Sequence, residues 1–283
     1  MSLSLTPLDV PGLLKRYGLR PDKSLGQNFL LDEAALEKVV AAAAIKEGDA
    51  VLEIGPGLGS LTRLLAVQAF SVVAVELDAK LIPPLKEVLR SYSNVEIIQG
   101  DILALDPSRL MGAGETSYLV VANIPYYITS ALLRHLLEAR HAPRRLVLTV
   151  QREVAARICA LDGKMSLLAL SVQVYGEPKI TARIPAGAFY PPPKVDSAVV
   201  RVDLYEAPRI PVLSLALFFR LAKAGFSQKR KTLRNALSGG MRWEPQQAQG
   251  FLEMAGIDAR RRAETLSLEE WGSLTAVVQN KPV

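Results

Sequence analysis

Asn123-Ile124-Pro125-Tyr126 closes an apolar run at 118–122, and its residue types suit the handling of a planar amino group. The Asn123 side-chain oxygen and a backbone carbonyl beside Pro125 can both accept from an NH2 group, while the Tyr126 ring can stack on the ring that carries it. Upstream, Glu53-Ile54-Gly55-Pro56-Gly57-Leu58-Gly59 is a glycine loop that lets backbone approach a ligand, and the helix after it offers free amides. A dinucleotide fingerprint wants its third glycine one residue later, where Ser60 stands, which counts against a pyrophosphate ligand. Glu76, seventeen residues after Gly59, is placed to bind ribose hydroxyls. Asp101, in Gly100-Asp101-Ile102, can accept from an adenine amino group. Singly, each of these is more often turn chemistry or the solvated end of a strand. In this order on successive strands they fit S-adenosylmethionine, with a nucleobase pocket beside it.

The elements that must hold these groups alternate. After Asp32, an N-cap, residues 33–44 carry strong helix formers with apolar residues at helical spacing. Strands are predicted at 50–54, 71–76, 95–98, 118–122 and 145–150, with helices at 60–68, 79–90, 129–140 and 152–161. Pro83-Pro84 should deform or delay the start of the third predicted helix. This rhythm predicts a doubly wound α/β sheet with ligands at the carboxyl ends of its strands. It then changes: 167–175 and 198–204 read as adjacent strands of a late antiparallel hairpin, with the stiff loop Phe189-Tyr190-Pro191-Pro192-Pro193-Lys194 between them. Helical patterns follow at 212–224, 229–237, 245–255 and 268–278. The domain boundary falls near Glu206, and no internal repeat or low-complexity tract is visible.

The chain has 283 residues, enough for one large domain or two, and its 49% hydrophobic and 22% charged content is that of a soluble globular protein. No apolar run reaches membrane-spanning length, and residues 1–10 lack the features of a signal peptide. A single cysteine, Cys159, excludes an internal disulfide and a cysteine-based metal cluster. His135 and His141, the two histidines, read as surface residues of a helix and not as bases. The expectation is a cytoplasmic, metal-free protein. Residues 1–206 hold 22 basic and 22 acidic side chains, whereas 207–283 hold 12 basic and 6 acidic, so the whole net charge of +6 lies in the last quarter. Such asymmetry suits a polyanion-facing module, although a solvated helical surface would look the same.

The chain resembles the small-subunit ribosomal RNA adenine dimethyltransferases, the KsgA family. The likeness is carried in order by Lys23-Ser24-Leu25-Gly26-Gln27-Asn28-Phe29-Leu30, the glycine loop, Glu76, Gly100-Asp101-Ile102, Asn123-Ile124-Pro125-Tyr126, and the run from Phe189 through the proline loop to Val200. It continues through Phe226-Ser227-Gln228-Lys229-Arg230-Lys231-Thr232-Leu233-Arg234-Asn235 and Arg262-Ala263-Glu264-Thr265-Leu266. It implies a Rossmann-like α/β S-adenosylmethionine-dependent methyltransferase domain over 1–206 and a smaller all-α, RNA-binding domain over 207–283. It also implies dimethylation of two adjacent adenosines in a hairpin near the 3′ end of small-subunit RNA within a pre-ribosomal 30S particle, with S-adenosylhomocysteine as product. By resemblance, Gln27, Asn28 and Leu30 form the donor's rim, and Gly55, with Gly57 in the same loop, meets its methionine end. Glu76 holds the ribose, Asp101 and Ile102 the adenine, and Asn123 lies between the two pockets. Asn123 and Pro125 hold the acceptor amino group, Tyr126 stacks on the base, and Phe189 supplies a second face. No strong general base is needed, because the attacking nitrogen becomes acidic as it gains the methyl.

Lys223, Lys229, Arg230, Lys231 and Arg234 form one basic cluster, expected to meet RNA, and Arg260-Arg261-Arg262 a second whose arginines could equally pair with Glu264, Glu269 or Glu270. The protein is expected to be a monomer with no membrane partner. Two other readings stay open at this point: an assembly factor whose binding to the immature subunit outweighs its methylation, and an adenine methyltransferase of large-subunit RNA of the macrolide-resistance type. The proline loop and the 226–235 run look more like the small-subunit family.

Overall fold

The computed structural model describes residues 5–112, 117–125, 128–161 and 163–280. The chain forms two compact units, Met1–Ala155 with Pro178–Leu204, and Ala156–Glu177 with Tyr205–Val283.

The first unit opens with a short helix, α1 (Val10–Arg16), and a two-residue strand, β1 (Phe29–Leu30), neither of which the periodicity of the sequence announces. Next comes α2 (Glu33–Ala43), whose N-cap Asp32 accepts from the Ala35 amide at 2.7 Å. Alternation follows as expected: β2 (Ala50–Ile54), α3 (Ser60–Gln68), β3 (Ser71–Glu76), α4 (Ile82–Leu89), β4 (Val95–Gln99), α5 (Pro107–Leu110), β5 (Tyr118–Asn123), α6 (Thr129–Leu137) and β6 (Arg145–Gln151). Pro83 and Pro84 occupy the first turn of α4, where a missing amide costs no helical hydrogen bond, and a single 3-10 turn, Ala79–Leu81, precedes them.

Beyond β6 lie α7 (Arg152–Ile158), α8 (Leu167–Gln173), β7 (Gly176–Ile184), β8 (Phe189–Tyr190) and β9 (Ser197–Leu204). The main sheet has the order β4-β3-β2-β5-β6-β9-β7. Strands β2 to β6 run parallel, and β9 turns antiparallel against β6 with Gln151 opposite Ser197. Residues 119–122 of β5 are fully buried, as expected of a central strand covered on both faces by helices. Register aligns Ile54 with Ala122, Asn123 with Thr149 and Glu76 with Gln99, so the chemically interesting residues emerge at one end of the sheet.

One expected strand is a helix. Residues 167–173 form α8, because Ser166 caps it by accepting from the Ala169 amide at 3.1 Å and because Leu167-Leu168-Ala169-Leu170 are strong helix formers. The strand beside β9 is β7, whose exposed face carries polar and charged residues and so lacks an apolar run. The expected division at 206/207 also differs from the observed units, since Ala156–Glu177 groups with the C-terminal helices. There Met165, Leu170 and Val174 join a core with Phe218, Leu221, Leu237 and Trp271. That unit is built on α9 (Leu215–Phe226), α10 (Leu233–Met241), α11 (Pro245–Met254) and α12 (Leu268–Asn280). Its packing is close: a Cβ on Gly225 would fall 2.5 Å from the Trp271 ring, and one on Gly240 would fall 2.5 Å from the Ala224 Cβ. Among the described residues, no helix is long and apolar enough to cross a membrane.

Candidate active site

A cavity of about 270 Å³ opens at the carboxyl ends of the parallel strands. Strand β2 delivers the glycine loop into it. Gly55 and Gly57 have φ of +71° and +59°, which a side chain would strain. At Gly57 a Cβ would also stand 3.0 Å from two atoms of the Phe29 ring. The loop is thereby clamped beneath β1, with backbone facing the cavity. From the end of β3, Glu76 reaches back to accept from the Gly57 amide through Oε2 and from the Asp78 amide through Oε1, both at 2.9 Å. Burial raises its pKa above the ordinary carboxylate value, while the amides of Asp78 and Gly57 oppose the rise. Each oxygen keeps one lone pair for a further donor, so the carboxylate can take two more, the number needed to grip a pair of ribose hydroxyls.

Gln27, Asn28 and Asn123 form a continuous polar seam. Gln27 donates from Nε2 to Asp78 Oδ2 at 2.8 Å and accepts the Asp22 amide at its Oε1. Asn28 ties its own side chain to the Gly26 carbonyl, and its backbone carbonyl accepts from Asn123 Nδ2 at 3.0 Å. With the amide nitrogen so engaged, Asn123 turns Oδ1, its acceptor, away from that bond. Asp101 is exposed, and one carboxylate oxygen accepts from the Leu103 amide at 2.9 Å. Ile102 is buried in the cavity wall beside it. Gln27, Asn28, Leu30, Gly55, Gly57, Glu76, Asp101, Ile102, Asn123 and Pro125 all line this one cavity.

Glu53 was not singled out by the sequence, although it stands inside the glycine-loop motif. It is 1% exposed, lines the same cavity, and its Oε2 has no hydrogen-bond partner. Burial pushes its pKa up to about 8; the Thr62 hydroxyl opposes the rise without forming a well-shaped hydrogen bond, and the Glu76 charge adds to it. An orphan carboxyl oxygen of this kind, together with the glycine cradle and the Glu76 carboxylate, fits a polar, cationic ligand of the donor's class.

The aromatic assignments fare differently. Tyr126 lies outside the described residues. Phe189 is 4% exposed and belongs to the core with Leu30 and Val199; it does not line the cavity. His135 is half-buried and bonded to the Leu105 carbonyl at 2.8 Å, not the surface residue expected. In the helical unit, Lys223, Lys229, Arg230 and Lys231 are exposed, and none has an ion-pair partner among the described residues. Arg234 is half-buried and donates to Gln249 at 3.2 Å. Of the second cluster, Arg261 is held by Glu270 and Arg260 by Asp258, so two of its three arginines are partnered within their own unit.

A doubly wound sheet with a glycine loop after β2, a buried carboxylate at the end of β3 and an Asn-Ile-Pro motif at the end of β5 is the architecture of the S-adenosylmethionine-dependent methyltransferase class. The ribosomal RNA adenine dimethylase family model matches residues 18–280. The chain belongs to that family. A ribosomal RNA small subunit methyltransferase A from Dehalococcoides mccartyi is 48% identical over 270 residues, covering 95% of this chain and 92% of its own. Two solved structures are also similar, each at 27% identity with a TM-score of 0.72. The 23S rRNA methyltransferase ErmE covers 89% of this chain and all of its own, and a dimethyladenosine transferase from Plasmodium falciparum covers 87% and 95%.

Proposed function

We propose that the protein transfers methyl groups from S-adenosylmethionine to the exocyclic amino groups of two adjacent adenosines in small-subunit ribosomal RNA, giving N6,N6-dimethyladenosines during assembly of the subunit. The observation that supports this reading best is Asn123: it lines the cavity and its Nδ2 is fixed on the Asn28 carbonyl, which leaves Oδ1 as the atom to accept from an amino group. S-adenosylmethionine, when bound, supplies a methyl group made electrophilic by its sulfonium. The residues do the rest by holding and orienting. Glu76 holds the ribose, Asp101 and Ile102 frame the adenine, and the Gly55–Gly57 backbone receives the methionine end, with Gln27, Asn28 and Leu30 at the rim. Pro125 gives its own carbonyl to the Ile128 amide at 3.2 Å, so the preceding carbonyl, that of Ile124, is the backbone partner to Asn123. Two acceptors on one amino group turn its lone pair out of conjugation with the ring and toward the methyl. The incoming base leaves its stack and rests on Tyr126. The exposed cations Lys223, Lys229, Arg230 and Lys231 meet the RNA backbone, with Arg234 playing a lesser part.

The choice of small-subunit over large-subunit RNA rests on relatedness: the Dehalococcoides relative named for the small subunit stands at 48% identity, whereas the 23S enzyme stands at 27%. The test supplies labelled donor with a mixture of unmethylated small and large subunits and maps the product by mass spectrometry. Two neighbouring dimethyladenosines are expected, and label confined to large-subunit RNA would overturn the reading.

A further inference from the structure

β1 and β8 form a two-stranded antiparallel ribbon in which Leu30 stands opposite Phe189 and Phe29 opposite Tyr190. Residues directly opposite in such a pair share a face. Leu30 and Phe189 pack together in the core below. On the other face, Phe29 presses its ring against the glycine loop and lines the donor cavity. Tyr190 stands on that same face but outside the cavity lining, and it remains 38% exposed. Its hydroxyl makes no hydrogen bond among the described residues, and more than a third of the residue is open to solvent.

The mount is stiff. The Leu31 and Asp32 amides both donate to the Ala188 carbonyl, at 2.9 and 3.3 Å. Asp196 ties down the far end of the loop, its carboxylate accepting from the Ala186 amide at 3.1 Å and its carbonyl from the Arg152 amide at 3.0 Å. Between these anchors run Pro191-Pro192-Pro193, which have no amide to donate and fixed φ. A rigid ring loses little freedom when a base lands on it, which favours stacking. Lys194 in the same loop and Arg152 at its anchor are exposed and have no ion-pair partner among the described residues. An aromatic ring and unpaired cations carried on one loop and its anchor are the two elements by which single-stranded nucleic acid is gripped without its sequence being read.

We propose that Tyr190, helped by Lys194 of the same loop and Arg152 at the loop's anchor, is a stacking step outside the cavity that takes the RNA base adjoining the one being methylated. This rests on the RNA-methyltransferase reading above. Tyr190 is thus a positioning residue: it fixes the neighbouring nucleotide so that the target arrives at Asn123 in register.

The test compares wild type with Tyr190→Phe, Tyr190→Leu and Tyr190→Ala on unmethylated small subunits. It measures kcat and KM for the subunit, the donor-analogue Kd by calorimetry, and Tm. Tyr190→Ala and Tyr190→Leu should raise KM about tenfold, within the range that base–aromatic stacking supplies. Tyr190→Phe should restore it, with donor Kd and Tm unchanged throughout. A wild-type KM in Tyr190→Leu, or a loss that Phe does not repair, overturns the stacking role. Wild type serves as the separator: if it leaves the RNA unmethylated the functional reading fails, whereas active wild type with equally active Tyr190→Leu removes only the stacking step.

Discussion

The cleft of the α/β unit and the basic turn between α9 and α10 are built in opposite ways. In the cleft, polar atoms are already committed: Glu76 to two amides, Gln27 to Asp78, Asn123 to the Asn28 carbonyl. What remains for a ligand is a few acceptors in fixed positions. The side chains of Lys229, Arg230 and Lys231 have no hydrogen-bond or ion-pair partner among the described residues, and the three exposed cations lie on a turn closed only by backbone. A small ligand repeats the same contacts at every turnover, so prior organisation is worth its cost in stability. A polyanion is met by charge density, where orientation matters little. Changes in the cleft should therefore be steep and specific, and changes in the turn shallow and salt-dependent.

The steepest break is Asn123→Ala. Removing an acceptor that acts on the reacting amino group should lower kcat at least about a hundredfold. Donor affinity should fall only a few-fold, through the lost tie to Asn28. Single-turnover methylation beside calorimetric titration separates the two, and near-normal turnover would take Asn123 out of the mechanism.

Glu53→Gln sharpens the comparison by showing that the cleft stores a cost. The native carboxyl keeps its proton to about pH 8, while an unfolded one ionises near 4.5. Between those values the native state binds more protons than the unfolded state, so wild-type stability should decline as pH rises through this window and level off above it. The total is a few kcal/mol, because each tenfold difference in proton affinity between the two states is worth ~1.4 kcal/mol. Glu53→Gln should lack this decline. Parallel Tm-against-pH curves for the two proteins would mean that Glu53 is ionised in the native cleft.

Glu76→Ala comes next. Loss of a charged acceptor should weaken donor-analogue binding by about ten- to a hundredfold, since hydrogen bonds to ionised groups contribute ~1.5–3 kcal/mol. Glu76→Gln, which keeps one acceptor oxygen, should lose less. An unchanged Kd in Glu76→Ala would remove the ribose assignment.

How much of this was legible follows the same divide. The cleft could be read because strand ends, glycines and carboxylates recur at fixed intervals, and parallel register carries Gly55, Glu76, Asp101 and Asn123 to one end. Glu53 escaped because its position reads as strand interior, and only packing shows that its oxygen has no partner. Residues 167–173 were misread because a short apolar run has no period of its own to separate helix from strand. The Ser166 cap was the available signal. Phe189 and Tyr190 show a further limit. Adjacent aromatics on a strand face opposite ways, and which one enters the core depends on pairing with Phe29 and Leu30, a contact some 160 residues away in the chain.

The shallowest effect is expected in the basic turn. Lys229, Arg230 and Lys231 precede Thr232, the N-cap of α10, and lie outside that helix, so reversing their charge removes no helical hydrogen bond and little packing. Replacing all three with Glu should leave donor binding and Tm near wild type while weakening binding to the subunit. Each phosphate contact adds roughly 0.7–0.9 to the slope of log affinity against log salt. If all three residues meet phosphate, the slope should fall by about 2–3, and the deficit should shrink as salt rises. Arg234→Ala, by contrast, breaks the bond to Gln249 inside the unit and should lower Tm with a smaller change in slope. Equal slopes for wild type and the triple variant would mean that the turn is only a solvated surface, leaving the α/β unit, with Lys194 and Arg152 at its rim, to meet the RNA alone.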